Sequence, residues 1–234
     1  MKIGQKAAGW AAVFLLVLGS HGAWGAPKVV EKLIDDFEDG DYTKSPEWWR
    51  FDSITASVEK NKPGRPGDII ADEAGAYSLH IVGTAKNWYA GGIGTYLGID
   101  GSKFTGIQLD VKGTGPKSGV AKLELVDDEN GNWEVEQDVL KNYALIHDDK
   151  FVYELRVDWD GWKRVYIPFT DFTDENPGVG NDKWDPVQTD GSGGLLTLQI
   201  ICIGPKKTGS LDYTIDNIKL INVSDGSRQS TSEK

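Results

Sequence analysis

Beyond its first 25 residues, the sequence never sustains a helical period over about eleven residues. Short alternating apolar runs recur instead roughly every ten residues, bounded by Gly, Pro, Asn and Asp. Such a chain can bury apolar side chains on only one face of each strand, which predicts an all-β fold with two antiparallel sheets packed as a sandwich. The clearest runs are 33–37, 77–82, 104–112, 120–126, 133–139, 151–157, 162–169, 196–203 and 211–221.

The last run changes phase in its middle. Leu211, Tyr213 and Ile215 share one face at period two, but Ile218 and Leu220 hold the apolar positions afterwards. One extra residue must therefore be absorbed at Asp216-Asn217, as a bulge that re-aims a carboxylate and an amide. Near the start of the domain, the stretch Leu33-Ile-Asp-Asp-Phe-Glu-Asp39 puts Asp36 and Glu38 on the face opposite Leu33 and Phe37. Asp36, Glu38 and Asp216 thus offer hard oxygens from two distant strands to a cation.

Residues 1–25 read as a secretory signal peptide, with Lys2 and Lys6 ahead of the apolar run Ala7 to Leu18 and small residues Ala23 and Gly25 at the cleavage positions. That run is too short for a stable membrane span, and no later run reaches about 18 apolar residues. The expectation is a soluble, secreted or periplasmic protein with one domain at 26–223 and a polar, disordered tail at 224–234. Cys202, the single cysteine, sits within an apolar run and reads as a small buried hydrophobe. A domain of about 200 residues buries roughly 70% of its unfolded surface and can do without disulfides. With 36 acidic against 25 basic residues and a net charge of -11, neither nucleic acid nor membrane is an expected partner.

Two connections stand out. Asn130-Gly131, within Asp127 to Asn132, predicts a tight hairpin turn. An EF-hand is excluded there, because its first ligand position would fall on Val126. The stretch 170–194 is long, acidic and glycine-rich, which makes it a candidate binding loop.

Three segments in this order, Ile34 to Asp39, Gly161 to Phe172 and Tyr213 to Leu220, with Leu109 to Gly113 between the first two, resemble the galactose-binding-like β-jelly-roll modules. The likeness is greatest to family 11 carbohydrate-binding modules and to the complex I intermediate-associated protein domain. It implies a structural calcium between the first and last strands, carried here by Asp36, Glu38 and Asp216. It also implies a cleft in which aromatic rings meet the apolar faces of a polysaccharide such as a β-glucan. The candidate ligand-binding residues are Trp88 and Tyr89 ahead of Ala90-Gly-Gly, Trp133, and Trp184 with Asp182 and Asp185 beside it to bond hydroxyls. Of the pair Trp48-Trp49, one ring is expected in the core and one on the surface, whereas Trp159 and Trp162 read as packing residues. The segment Thr173 to Gly180 is acidic and lacks arginine where family 11 modules are basic, so β-glucan is not fixed as the ligand. No nucleophile elbow, phosphate loop or dinucleotide fingerprint occurs, and the chain is read as non-catalytic. The alternative is a protein-interaction or assembly module of the complex I intermediate-associated type, with a protein partner in the cell envelope.

Overall fold

The computed structural model describes residues 30–62 and 73–223. The expected signal peptide and tail lie outside them. The strands are β1 Val30–Asp35, β2 Trp48–Asp52, β3 Ile54–Lys60, β4 Tyr77–Lys86, β5 Tyr89–Ile99, β6 Gly106–Thr114 and β7 Gly119–Asp127. They continue with β8 Gln137–Asp138, β9 Ala144–Leu145, β10 Asp149–Val157, β11 Asp160–Pro168, β12 Thr173–Asp174, β13 Leu195–Ile203 and β14 Thr208–Asn222.

All pairing is antiparallel, in the order β11-β6-β14-β4-β5-β13-β7-β10-β12, with β1 on β14, β2 on β5 and β3 on β4. Strands β4 and β5 share one register pair, Lys86 with Tyr89, at their hairpin tip. The large sheet curls at that point into two layers. Leu79, Ile81, Leu109, Val111, Tyr213 and Ile215 from one layer join Ile93, Leu123, Leu125, Leu198 and Ile200 from the other in a single fully buried cluster. Burial at about 25 cal/mol per Å² of apolar surface makes this interface the main source of stability.

The expected bulge is present. Strand β14 pairs with β4 as far as Ile215 and with β1 from Ile218 onward, while its register against β6 shifts between Asp216 and Lys219. Asn217 takes φ 47°, which absorbs the extra residue. Cys202 is buried and accepts a hydrogen bond from the Tyr213 hydroxyl at 3.1 Å; burial pushes its thiol up to about 12.

Five strands lie outside the expected runs. Strands β2, β3 and β5 and the two-residue β9 and β12 were not among them, and of 133–139 only Gln137–Asp138 is extended and paired. The connection from β7 to β10 is a long excursion over 128–148 rather than a tight turn, and of Asn130 and Gly131 only the glycine takes positive φ, 72°. Val135 packs there with Val126, Leu145 and Leu196 in a cluster of its own. Its apolar alternation pins the excursion onto the sheet instead of building a strand.

One polar pin crosses the first layer. His80 on β4 lies 3.1 Å from Glu59 on β3 and 2.9 Å from Asp212 on β14. Burial pulls the imidazole down, but the two carboxylates outweigh it and raise it overall. The folded state therefore favours the charged ring, and the contribution is complete below the unfolded value of about 6.5 and fades as pH climbs through the raised folded one. Between pH 6 and 8 the melting temperature of the wild type is expected to lose ground against His80→Gln, by the equivalent of about 1 kcal/mol or less. Parallel thermal melts check this, and a constant gap would refute it.

Candidate functional site

The outward face of the second layer is built around β5. Ile93 points into the core, so Gly92 and Gly94 present the other face, opposite Phe51 and Trp49 of β2. A Cβ at Gly94 would stand 2.6 Å from Cζ2 of Trp49, and one at Gly92 would stand 2.5 Å from Cζ of Phe51. Only glycine lets these rings lie down on the strand backbone. Trp48 points the other way, into the core, and its Nε1 donates to Asp35 Oδ2 at 2.8 Å. Trp49 keeps 38% of its surface open.

Across the sheet, Gln199 of β13 stands opposite Gly94 and Glu124 of β7 stands opposite Gln199. An aromatic strip thus runs beside a polar one. Lys122 bridges Glu124 at 2.9 Å and also meets Glu175, which Lys150 holds at 2.9 Å. Between the rings of Trp49, Tyr96 and Trp133 lies a groove of about 400 Å³, floored by Thr197 and Gln199 and rimmed by Glu134 and Gln137 from the excursion. That volume suits a ligand of a few rings.

Trp133 is held from both sides. It has φ 65°; its Nε1 donates to the Gly191 carbonyl at 2.6 Å, and its own carbonyl accepts from the Tyr96 hydroxyl at 3.1 Å. The buried Asp128 carboxylate accepts the N–H groups of Trp133, Gly131 and Gly193 at 3.2, 2.9 and 2.6 Å. One side chain therefore locks the excursion to the segment ahead of β13.

The expected ligand-binding residues do not converge. Trp133 lines the groove, whereas Trp88 and Tyr89 stand exposed at the far end of β5, where the Tyr89 hydroxyl donates to Asp52. Burial, then Asp52, raises that phenol. Trp184 is half-buried, 5.3 Å from the Phe151 ring and 4.6 Å from that of Phe169, so it packs on the core away from the groove. Asp182 caps a turn by accepting from the Gly178 N–H at 2.6 Å. Trp159 packs against the core with its Nε1 on the Val111 carbonyl, while Trp162 is half-buried beneath Lys112. Trp49 and Tyr96 were missing from the expected set. The Trp48-Trp49 pair held the signal for one of them; the glycine-broken run of β5 hid the other.

Two acidic groups lie elsewhere. Asp216, fully buried at the β14 bulge, has an Oδ2 that accepts no hydrogen bond. Burial, followed by the charges of Asp110, Glu38 and Asp36, pushes it up to about 8. Glu38 accepts from the N–H groups of Ala76 and Tyr77 at 2.8 and 2.9 Å, while Asp36 accepts the Glu38 N–H at 3.3 Å. The second group is Asp127, Glu129 and Asp185, whose ligand oxygens lie within 4.8 Å of one another and can hold a metal ion. Among the described residues no other acidic set meets so closely. Burial pushes Asp127 up to about 8 and, with Asp149 and Asp185 adding to it, Glu129 up to about 7.

No protein-family model matches the chain, and no curated protein matches it. Solved structures do. A family 11 carbohydrate-binding module from Clostridium thermocellum, in complex with a β-1,3-1,4-mixed-linked tetrasaccharide, is 19% identical over 82% of this chain and 96% of its own, with a TM-score of 0.50. The family 11 module of the cellulosomal cellulase Lic26A-Cel5E from the same organism is also 19% identical, over 82% and 95%, at 0.49. The family 30 module of the cellulosomal cellulase Cel9D-Cel44B, again from Clostridium thermocellum, is 15% identical over 84% and 99%, at 0.46. At such identities the first of these likenesses shows the fold, an antiparallel β-sandwich.

Proposed function

We propose that this protein is a secreted, non-catalytic carbohydrate-binding module that holds a polysaccharide in the groove between Trp49, Tyr96 and Trp133. The observation that carries the reading is the groove itself, in which three open aromatic rings flank Gln199, Thr197, Gln137 and Glu134. A pyranose has an apolar C–H face and a polar rim, and it is matched by rings beside carboxamides rather than by paired charges. Tyr89, further along the same strand, extends the aromatic line toward a chain of several sugars. The module in complex with a mixed-linked tetrasaccharide shares this fold and makes β-glucans the first class to try.

The same reading includes a structural calcium at Asp36, Glu38 and Asp216. The fit rests on Asp216, which is fully buried, has an Oδ2 without a hydrogen-bond partner and feels the charges of Glu38 and Asp36. A cation there would replace mutual repulsion with shared coordination and tie the β14 bulge to the segment after β1. No observation above favours the polypeptide-binding alternative.

Affinity electrophoresis through gels containing soluble β-glucans, xylans, mannans and bacterial exopolysaccharides, with calcium throughout, tests the glycan assignment. Retardation by one polysaccharide is expected. Trp49→Ala and Trp133→Ala should each weaken it about tenfold, or about 1.4 kcal/mol. Trp184→Ala should instead lower the melting temperature with retention unchanged. Gly94→Ala should act like Trp49→Ala, because its methyl lifts the ring from the strand. Free mobility across the panel would overturn the reading.

Calcium at a hundredfold excess over its dissociation constant stabilises the fold by about 2.7 kcal/mol, or about 5–10 °C for a domain of this size. Chelation should lower the melting temperature by that order, and Asp216→Asn should abolish the part due to this site. A chelation effect of the same size in wild type and Asp216→Asn would remove the assignment.

A further inference from the structure

We propose that Asp127, Glu129 and Asp185, completed by Asp149, form a second divalent-cation site of calcium type, and that this cation latches the loop carrying Trp133. The three oxygens within 4.8 Å of one another match a shared ion, since ligands on opposite sides of calcium are separated by about twice 2.4 Å. Acids alone would not carry the point. The independent sign is Asp149, which is fully buried and has an Oδ1 that accepts no hydrogen bond. Asp149 is the register partner of Asp127 across β10 and β7, and it lies within hydrogen-bonding reach of Glu129. Its other oxygen, Oδ2, accepts the N–H groups of Asn181 and Lys183 at 3.1 and 3.4 Å, which leaves Oδ1 as the oxygen without a protein donor.

No lysine, arginine or histidine among the described residues makes an ion pair with any of the four. The nearby donors are neutral: the Asp185 N–H on Asp127 at 3.0 Å, and the Asn181 amide on Glu129 and on Asp185. Four carboxylates therefore share one space without a balancing charge. Their number, and their origin in three separate segments, favour calcium over magnesium, which keeps its waters and demands a rigid octahedron.

The latch follows from chain order. Asp127 and Glu129 flank Asp128, whose carboxylate receives the N–H groups of Trp133 and Gly193. A cation gripping both neighbours fixes the Asp128 backbone and through it the two loop segments that seat Trp133. Without the cation, repulsion among the four acids acts at the base of that loop. The metal site stands apart from the glycan reading; only an effect on sugar retention would rest on that reading.

Two measurements on the mature protein test this. Calcium titration calorimetry should show that Asp185→Asn and Asp149→Asn lose one site, or at least tenfold in its affinity, whereas Asp216→Asn keeps it. Asp185 is exposed, so its amide variant retains the fold even where the Asp149 variant does not. Fluorine NMR of protein labelled with 5-fluorotryptophan, with the Trp133 line assigned by its absence in Trp133→Phe, should show that line moving on chelation in wild type and staying put in Asp185→Asn. An unchanged isotherm for Asp185→Asn, or a Trp133 line in wild type that ignores calcium, would overturn the proposal. Neither readout involves a sugar, so failure of the groove assignment leaves both interpretable.

Discussion

Strand β14 is the member on which both halves of this sandwich depend. Its first half lies between β4 and β6 and its second between β1 and β6. A regular strand of this length could not face two different neighbours and keep its apolar residues inward, because one misplaced residue inverts every side chain that follows. The bulge at Asp216-Asn217 resolves the conflict. Tyr213 and Ile215 before it and Ile218 and Leu220 after it all reach the core. The cost falls on Asp216, which is drawn into the interior with one oxygen unpaired. Core packing is secured at the expense of an electrostatic debt that a cation is suited to settle.

The same trade recurs at the end of β7. The layer closes there with Asp127 and Asp149 in register, and the segment ahead of β13 is drawn over them by main-chain donors. Buried carboxylates that accept N–H groups from distant segments organise loops strongly, since each unmade bond would cost about 1–3 kcal/mol. Asp128, one residue on, applies this to three N–H groups at once. Acidity in this protein is thus partly structural: carboxylates at strand ends do what turn residues do elsewhere. Part of the net negative charge is an internal scaffold rather than a coat facing solvent.

How much of this was legible in the sequence differs by element. The bulge was, because alternation is strict and a phase slip between Ile215 and Ile218 has one physical remedy. The sandwich was as well, along with the burial of Cys202 and the opposed directions of Trp48 and Trp49. What misled was local pattern without tertiary context. Trp133 to Val139 alternates like a strand, yet its apolar residues serve a small cluster under a loop. Trp184 sits in a polar, acidic stretch that suggests exposure, yet its ring seats against Phe151 and Phe169. The tight turn expected at Asn130-Gly131 yielded to a long excursion held by side chains such as Asp128 and Val135.

The most instructive omission is β5. Its glycines at 91, 92 and 94 erase the alternation by which a strand is recognised, so a central strand passed unseen. Those at 92 and 94 also create the flat shelf on which Phe51 and Trp49 lie, because removing two Cβ atoms makes room for two rings. Ordinary β-formers at these positions would have made the strand obvious and closed the shelf. Concealment and shelf share one cause: close approach of a ring to a backbone needs glycine, and glycine is what strand patterns discount. A glycine-rich run that meets an aromatic pair within an all-β chain is therefore better read as a strand carrying a shelf for rings than as a loop.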